Sequence, residues 1–263
     1  MGAAAELAGR AIMVTRPIHQ AGTLARMIRE RGGEPVLFPT IEIRPAPDPQ
    51  PLERAVANRA AFDLAVFASA NAVTMAWPRV TAAGGLAPHA RLAAVGEGTA
   101  AALRHGGATE VITPAQGADS EALLAEPELR AVAGRRVALF SGVGGRELLA
   151  AELTVRGAIV DVVPCYVRVR PDTPTAPVRT RIAAGALAAI TATSSEGVRN
   201  LYAMLAPDAA AIAAIPHVVS HERIAFAARE CGATTVHVSG SGDAAMVSAL
   251  IALFQVGLVA ARS

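Results

Sequence analysis

With 263 residues, 52% of them hydrophobic, the chain is long enough for two ordinary domains, and polar residues interrupt it too often for a membrane protein. Its 24 basic and 22 acidic side chains leave a formal charge of +2 and are scattered, so the basic stripe of a nucleic-acid binder is missing. Six Phe, two Tyr and one Trp are too few for base-stacking platforms as well.

The opening stretch, MGAAAELAGRAIMV, has no basic n-region, and Glu6 interrupts its apolar run, so no secretory signal is expected. Glu6 also stands where a myristoylation motif needs a hydroxyl residue. Strand AIMVT (11–15) precedes a helix over Ile18–Arg31 that Gly32-Gly33 ends, and strand PVLF (35–38) follows. Next come FDLAVFAS (62–69) as a strand, a helix from Asn71, LAAV (92–95), a helix over Thr99–His105, EVIT (110–113), and a helix from about Asp119-Ser120. The order then recurs with VALF (137–140), IVDVV (159–163), ALAAITAT (186–193), HVVS (217–220) and TVHVS (235–239). Short apolar runs alternating with amphipathic helices predict parallel α/β sheets buried on both faces, in two flavodoxin-like bodies. The last stretch, AAMVSALIALFQVGLVAA (244–261), approaches the length of a membrane span, but Ser248, Gln255 and Gly257 interrupt it. It reads as a final helix packed on a sheet.

The chain makes one move twice. ERGGEPVLFPTIEIR (30–44) and VRGAIVDVVPCYVRV (155–169) each run from a helix end through a glycine stop, a strand and a proline into an extended arm, 125 positions apart (155 − 30). The same shift aligns Gly9-Arg10 with Gly134-Arg135, Ser69 with Ser194, Glu97 with Glu222, Arg104 with Arg229 and Gly107 with Gly232, without a gap. Proline-rich RPAPDPQP (44–51) and RPDTPTAP (170–177) fall inside the repeats, after the first βαβ of each, and such stretches suit passages between bodies. The expected partition is therefore not repeat by repeat. One discontinuous α/β domain takes residues 1–42 plus 168–263, and the other takes 43–167 with the connecting arms. The arms are expected to be paired crossings that leave a cleft between the bodies.

AVGEGTAA (94–101) has the glycine spacing of a dinucleotide fingerprint, but its counterpart SHERIA (220–225) has no glycine, so the signal is weak. SGVGGRELL (141–149) lacks the lysine and hydroxyl of a P-loop, and its glycines read as a tight turn. The six histidines are not spaced as metal ligands, and no standard nucleophile–base set appears. Cys165 and Cys231 stand alone, as ordinary thiols of a cytosolic chain. What recurs is hydroxyls and backbone N–H groups at strand-to-helix turns: Thr15-Arg16, Ser69-Ala70-Asn71, Gly96–Thr99, Ser141–Gly145, Ser194-Ser195 and Ser220-His221. Any one serine there could be a plain helix cap, but together such turns suit a ligand with several carboxylates or phosphates.

Taken in order, VTRP (14–17), the RGGEPVLFPTIEI arm, FASANAV (67–73), AVGEGTAAALRHGGA with GADSEALL, GGRELLAAELTVRGAIVDVVPCYVR, TATSSEGVRNL and VSHERIAFAAR resemble the uroporphyrinogen-III synthase family over nearly the whole chain. The resemblance implies two α/β domains joined by a two-stranded connection, in the HemD manner. It implies a hydro-lyase of haem biosynthesis that cyclises hydroxymethylbilane, a small-molecule substrate, with loss of water and inversion of ring D. No metal or organic cofactor, no nucleic acid and no membrane is implied, and the protein is expected to be a cytoplasmic monomer. Tyr166 maps onto the family's catalytic tyrosine, which projects into the cleft; the alternative is a tyrosine that only packs. Arg16, Ser69, Asn71, Thr99, Arg146, Ser194 and Ser195 map to substrate-binding positions, with a structural salt bridge as the alternative for Arg16. Ser220-His221-Glu222-Arg223 departs from the family pattern, because Glu222 repels an acidic substrate unless Arg223 or His221 offsets it. The rival to the enzyme is a non-catalytic two-lobed module that binds or senses a small anion or tetrapyrrole.

Overall fold

The computed structural model describes residues 6–117, 119–145 and 147–260, with side chains as far as Gln255 in the last helix. The chain divides into two compact units, Met1–Glu42 with Val169–Ser263, and Ile43–Arg168. In chain order the first unit opens with β1 (Ala11–Val14), α1 (Gly22–Glu30) and β2 (Glu34–Leu37). Then follow β3 (Glu42–Pro45), α2 (Gln50–Ala57), β4 (Leu64–Phe67), α3 (Ala70–Ala82), β5 (Arg91–Ala94) and α4 (Glu97–His105). Helices α5 (Ser120–Ala125) and α6 (Pro127–Arg130) lead to β6 (Arg136–Gly142), α7 (Leu148–Val155) and β7 (Ile159–Val169). The chain returns to the first unit with α8 (Ala176–Ala183), β8 (Ala189–Ala192), α9 (Ser195–Met204) and α10 (Ala209–Ala214). It finishes with β9 (His217–Val219), α11 (Glu222–Glu230), β10 (Val236–Val238) and α12 (Asp243–Ala260).

Each unit is built on one sheet. The first has the order β10-β9-β8-β1-β2, and each neighbouring pair in it is parallel. Renumbered within the unit this is the flavodoxin order. The second sheet runs β3-β7-β6-β4-β5, with β7, β6, β4 and β5 parallel. The two are the same sheet in the arithmetic of the repeat. Ala11 faces Glu34 and Arg136 faces Ile159; Ile12 faces Ala189 and Val137 faces Leu64. His237 faces Val218, and Ile112 faces Ala93. Every one of these pairs maps onto its counterpart by the shift of 125 residues. Each sheet joins the first two strands of one repeat to the later strands of the other.

The central strands β1, β8 and β4 are buried at every residue, as an apolar run covered by helices on both faces requires. On one face of the first sheet, Ile12 and Val14 meet Leu24 and Ile28 of α1 and Met246 and Leu250 of α12. Burying each such aliphatic side chain is worth about 1.5–3 kcal/mol. The long apolar C-terminal helix thus spends part of its surface in this core, and no helix among the described residues is long and apolar enough to cross a membrane. On the other face Met13, Ile190 and Val219 pack with Tyr202 and Ile224.

Two predicted elements differ. The predicted strand EVIT shrinks to one bridge, Ala93 to Ile112. Its counterpart β10 is extended by the Ser239 N–H, which donates to the Val219 carbonyl at 2.8 Å. The residue 125 positions before Ser239 is Pro114, which has no N–H to give, so the ladder stops. In the other direction, the predicted strand IVDVV and the arm after it form a single strand, β7, running straight through Pro164. The register slips there, from Ser141 opposite Pro164 to Gly142 opposite Tyr166, leaving Cys165 as the extra residue of a bulge.

His217 occupies the strand position that Leu92 holds in the other repeat (217 − 125), and it is 0% exposed. Its Nδ1–H donates to the Ile215 carbonyl at 2.8 Å, while Nε2 finds no partner among the described residues. Burial holds its pKa below the ordinary value, opposed by that one backbone bond. The neighbouring Tyr202 and Cys231 are pushed up by burial, away from this range. The unfolded chain therefore takes up a proton at His217 near pH 6.5 that the folded chain refuses, and stability falls as pH drops below that value. Between pH 6.5 and 5, urea denaturation should show the native chain losing about 1–2 kcal/mol more than His217→Leu.

Candidate functional site

Because β1, β2, β8, β9 and β10 run parallel, as do β4, β5, β6 and β7, the carboxyl ends of each set share one edge, where the strand-to-helix turns lie. In the first unit these turns follow β1 (Thr15-Arg16), β8 (Ser194-Ser195) and β9 (Ser220-His221); in the second they follow β4 (Ser69), β5 (Gly96) and β6 (Gly142 onward). The strand order reverses between β1 and β8, and between β6 and β4, so the Ser194 and Ser69 turns each stand at a switch point.

In the second unit, Ser69 caps α3: its Oγ accepts from the Ala72 N–H at 3.2 Å. The same Oγ lies 3.0 Å from the Tyr166 hydroxyl, and Arg168 Nη2 donates to that hydroxyl from 3.2 Å. The Arg168 guanidinium also sits 5.7 Å from the centroid of the Tyr166 ring. Tyr166 does not project from its arm. It is 2% exposed and packed with Phe67, Phe140 and Val163 inside its own unit. Gly142 makes room for it, since a Cβ there would lie 2.8 Å from Tyr166 Cζ. Next to it Cys165 is buried, which pushes its thiol up to about 12 and removes it from thiolate chemistry at neutral pH.

In the first unit, Ser194 repeats the cap, its Oγ accepting from the Gly197 N–H at 2.9 Å. Ser195 Oγ donates to the Arg223 carbonyl at 3.3 Å. Arg16 forms an ion pair with Asp243 at the start of α12, so its carboxylate partner is the protein's own. Thr15 is buried and donates to the Thr191 carbonyl at 2.8 Å, which ties β1 to β8. Thr99 is buried in the first turn of α4, and Asn71 lies in the first turn of α3. Arg146 lies outside the described residues.

First-turn charge separates the helix starts into two groups, and α1 after β1 and α7 after β6 share with α3 the absence of a first-turn acidic residue. Helices α4, α9 and α11 carry Glu97, Glu196 and Glu222 in their first turns, whereas α3 carries no acidic residue there. A glutamate at this position already satisfies the positive end of the helix and competes with an incoming anion. The partner of Glu222 is Arg229 at 3.9 Å, rather than Arg223 or His221, and it reproduces the Glu97–Arg104 pair at 2.6 Å in α4. His221 Nε2 lies 3.3 Å from Ser241 Oγ instead. In the turn AVGEGTAA, Gly96 has the extended φ of −169° that any residue adopts and a Cβ on Gly98 would meet nothing within 4 Å, so the turn itself does not require either glycine.

Sequence reasoning missed Arg168, Gly142 and Asp243. A signal existed for Arg168, since residues two apart on a strand share a face. None existed for Gly142, whose place opposite Tyr166 depends on the bulge.

These features define a doubly wound α/β protein of two parallel sheets, each with hydroxyl-capped helix starts along its carboxyl edge. The family model described as "Uroporphyrinogen-III synthase HemD" matches residues 22–247. The chain is 31% identical over 245 residues to the uroporphyrinogen-III synthase of Escherichia coli (strain K12), spanning 88% of this chain and 96% of that one. It is 36% identical over 206 residues to the uroporphyrinogen-III synthase of Synechococcus elongatus, spanning 76% of each. Among solved structures, a mutant uroporphyrinogen III synthase from the extreme thermophile Thermus thermophilus matches with a TM-score of 0.61 at 18% identity, over 94% of this chain and 99% of that one. The uroporphyrinogen-III synthetase of Helicobacter pylori gives 0.55 at 13%, over 93% and 99%. At those identities the two structures bear on the fold alone. The chain belongs to the uroporphyrinogen-III synthase family. It is accordingly an enzyme of porphyrin biosynthesis, a lyase acting on a small molecule, and the non-catalytic module is not favoured.

The tight fit of Gly142 gives a direct check on the Tyr166 packing. Gly142→Ala should cost about 1–3 kcal/mol of unfolding free energy by urea titration, because the added methyl must displace the ring.

Proposed function

We propose that the chain converts hydroxymethylbilane to uroporphyrinogen III, and that the start of α3, with Ser69 and Tyr166, is the part of the second unit that grips and activates this substrate. One observation carries the reading. Among the helix starts at the carboxyl edges of the sheets that follow β4, β5, β8 and β9, that of α3 has no first-turn carboxylate, and it adjoins a hydroxyl pair backed by a guanidinium. Such a start attracts an acetate or propionate arm, and hydroxyls beside it can donate to a departing hydroxyl group.

The reaction needs little more from the protein. The substrate's C–O bond breaks, the leaving hydroxyl takes a proton and departs as water, and the ring A nitrogen pushes its electron pair in and gives up its N–H proton to form an azafulvene. Ring D then attacks through its substituted carbon, giving a spiro-pyrrolenine. The original bond from that carbon to the methylene bridging ring C breaks, and the freed methylene bonds to the unsubstituted α-carbon of ring D, which loses its proton, so that ring D ends inverted. Closure without the enzyme gives the uninverted isomer. The protein's work is therefore to hold the chain in the one geometry that favours attack by the substituted carbon. In this reading Ser194, Ser195, Thr99, Asn71, Arg16 and Arg146 are substrate-binding residues of secondary weight. Arg16 acts only if Asp243 releases it, and Ser194 shares its helix start with Glu196.

We also infer a monomer, and a cytoplasmic location for which the two free thiols of Cys165 and Cys231 are the support. Incubating the purified chain with hydroxymethylbilane, then oxidising and separating the porphyrins, should give isomer III in excess of isomer I; isomer I alone would eliminate the reading. Tyr166→Phe should lower turnover about tenfold or more while the melting temperature moves by no more than about 2–4 °C. Losses of the same order in both would assign the ring to packing.

A further inference from the structure

The hydrogen bonds around Tyr166 have a direction. Arg168 has only donors, so the Tyr166 oxygen must accept from it at 3.2 Å. The Ser69 oxygen accepts from the Ala72 N–H. Two arrangements remain for the 3.0 Å contact between the hydroxyls. If Ser69 donates to Tyr166, the phenolic proton of a side chain only 2% exposed loses the acceptor that lies beside it. If Tyr166 donates to Ser69, the buried proton is satisfied, and the proton of the half-buried Ser69 points away from both. The guanidinium favours the second arrangement, because accepting from a cation polarises the phenol's own O–H toward its next acceptor.

We propose that Arg168 is a positioning residue: it orients the chain Arg168 to Tyr166 to Ser69 so that Ser69, rather than Tyr166, presents the outgoing proton at the start of α3. This rests on the reading that the α3 start engages the substrate. The donor that faces the substrate's leaving hydroxyl or carboxylate is then a serine at a helix N-terminus, and the tyrosine holds it in that state. Arg168 itself is exposed, and among the described residues its ring contact and its hydrogen bond are both on Tyr166.

The test is a double-mutant cycle on isomer III formation with Arg168→Met, Tyr166→Phe and the two combined. Arg168→Met should lower kcat/KM about tenfold with an unchanged melting temperature, since a charge-assisted bond is lost and no packing is. The combined variant should be no slower than Tyr166→Phe alone, because without the phenol the guanidinium has nothing to orient. An Arg168→Met loss that multiplies the Tyr166→Phe loss would overturn the proposal by showing that the arginine acts on the substrate directly. An Arg168→Met enzyme with native kcat/KM would overturn it too. Failure of the functional reading shows separately, as isomer I alone from the unaltered chain.

Discussion

The pairing of β1 with β8 holds the first unit together, and that of β6 with β4 holds the second. Neither 125-residue repeat contains a whole sheet. Its first two strands find their neighbours only in the other repeat's later strands, so each sheet forms only when distant parts of the chain meet. Thr15 and Thr191 show how the first of these seams is secured. Thr15 Oγ1 donates to the Thr191 carbonyl at 2.8 Å and Thr191 Oγ1 donates to the Met13 carbonyl at 3.1 Å, both buried and 176 and 178 residues apart. Their counterparts in the second sheet are Phe140 and Val66, where apolar packing takes over the same seam.

That exchange decides which helix starts stand at the switch points. The Ser69 and Ser194 turns arise from equivalent strands, carry the same cap, and differ in what surrounds them. Ser194 has Glu196 two residues later and a neighbouring arginine already engaged by Asp243. Ser69 has no such carboxylate and has gained Tyr166 and Arg168 from β7. The position of Tyr166 is occupied by Ile41 in the first repeat (166 − 125), and there β2 ends at Leu37 instead of running on. Two copies of one scaffold thus diverged at the edge where ligands bind in such folds: one start is filled by the protein's own charges and the other is left receptive.

Most of the fold was legible in the residues. The constant shift of 125 and the placement of the proline-rich stretches inside the repeats pointed to two like sheets and to a chain that leaves one body and returns. Departures came where one residue overrode a pattern. Pro114 cut EVIT to a bridge, and Pro164, expected to end a strand, was absorbed into β7 by a bulge. The site was legible by residue type and less so by geometry. Hydroxyls at strand ends announced the caps at Ser69 and Ser194, but Thr15 turned out to be sheet glue, Arg16 was paired within the protein, and Tyr166 lay inside the core. Periodicity cannot report such things, because each depends on a partner far off in sequence: Thr191, Asp243 and Gly142.

A crystal structure with the tetrapyrrole product bound tests the central claim most directly. The account predicts at least one acetate or propionate group within hydrogen-bond distance of Ser69 Oγ or the backbone amides that open α3. Product carboxylates seated at the opposite, amino edge of that sheet, around Arg91 and Thr109, with the α3 start untouched, would contradict it.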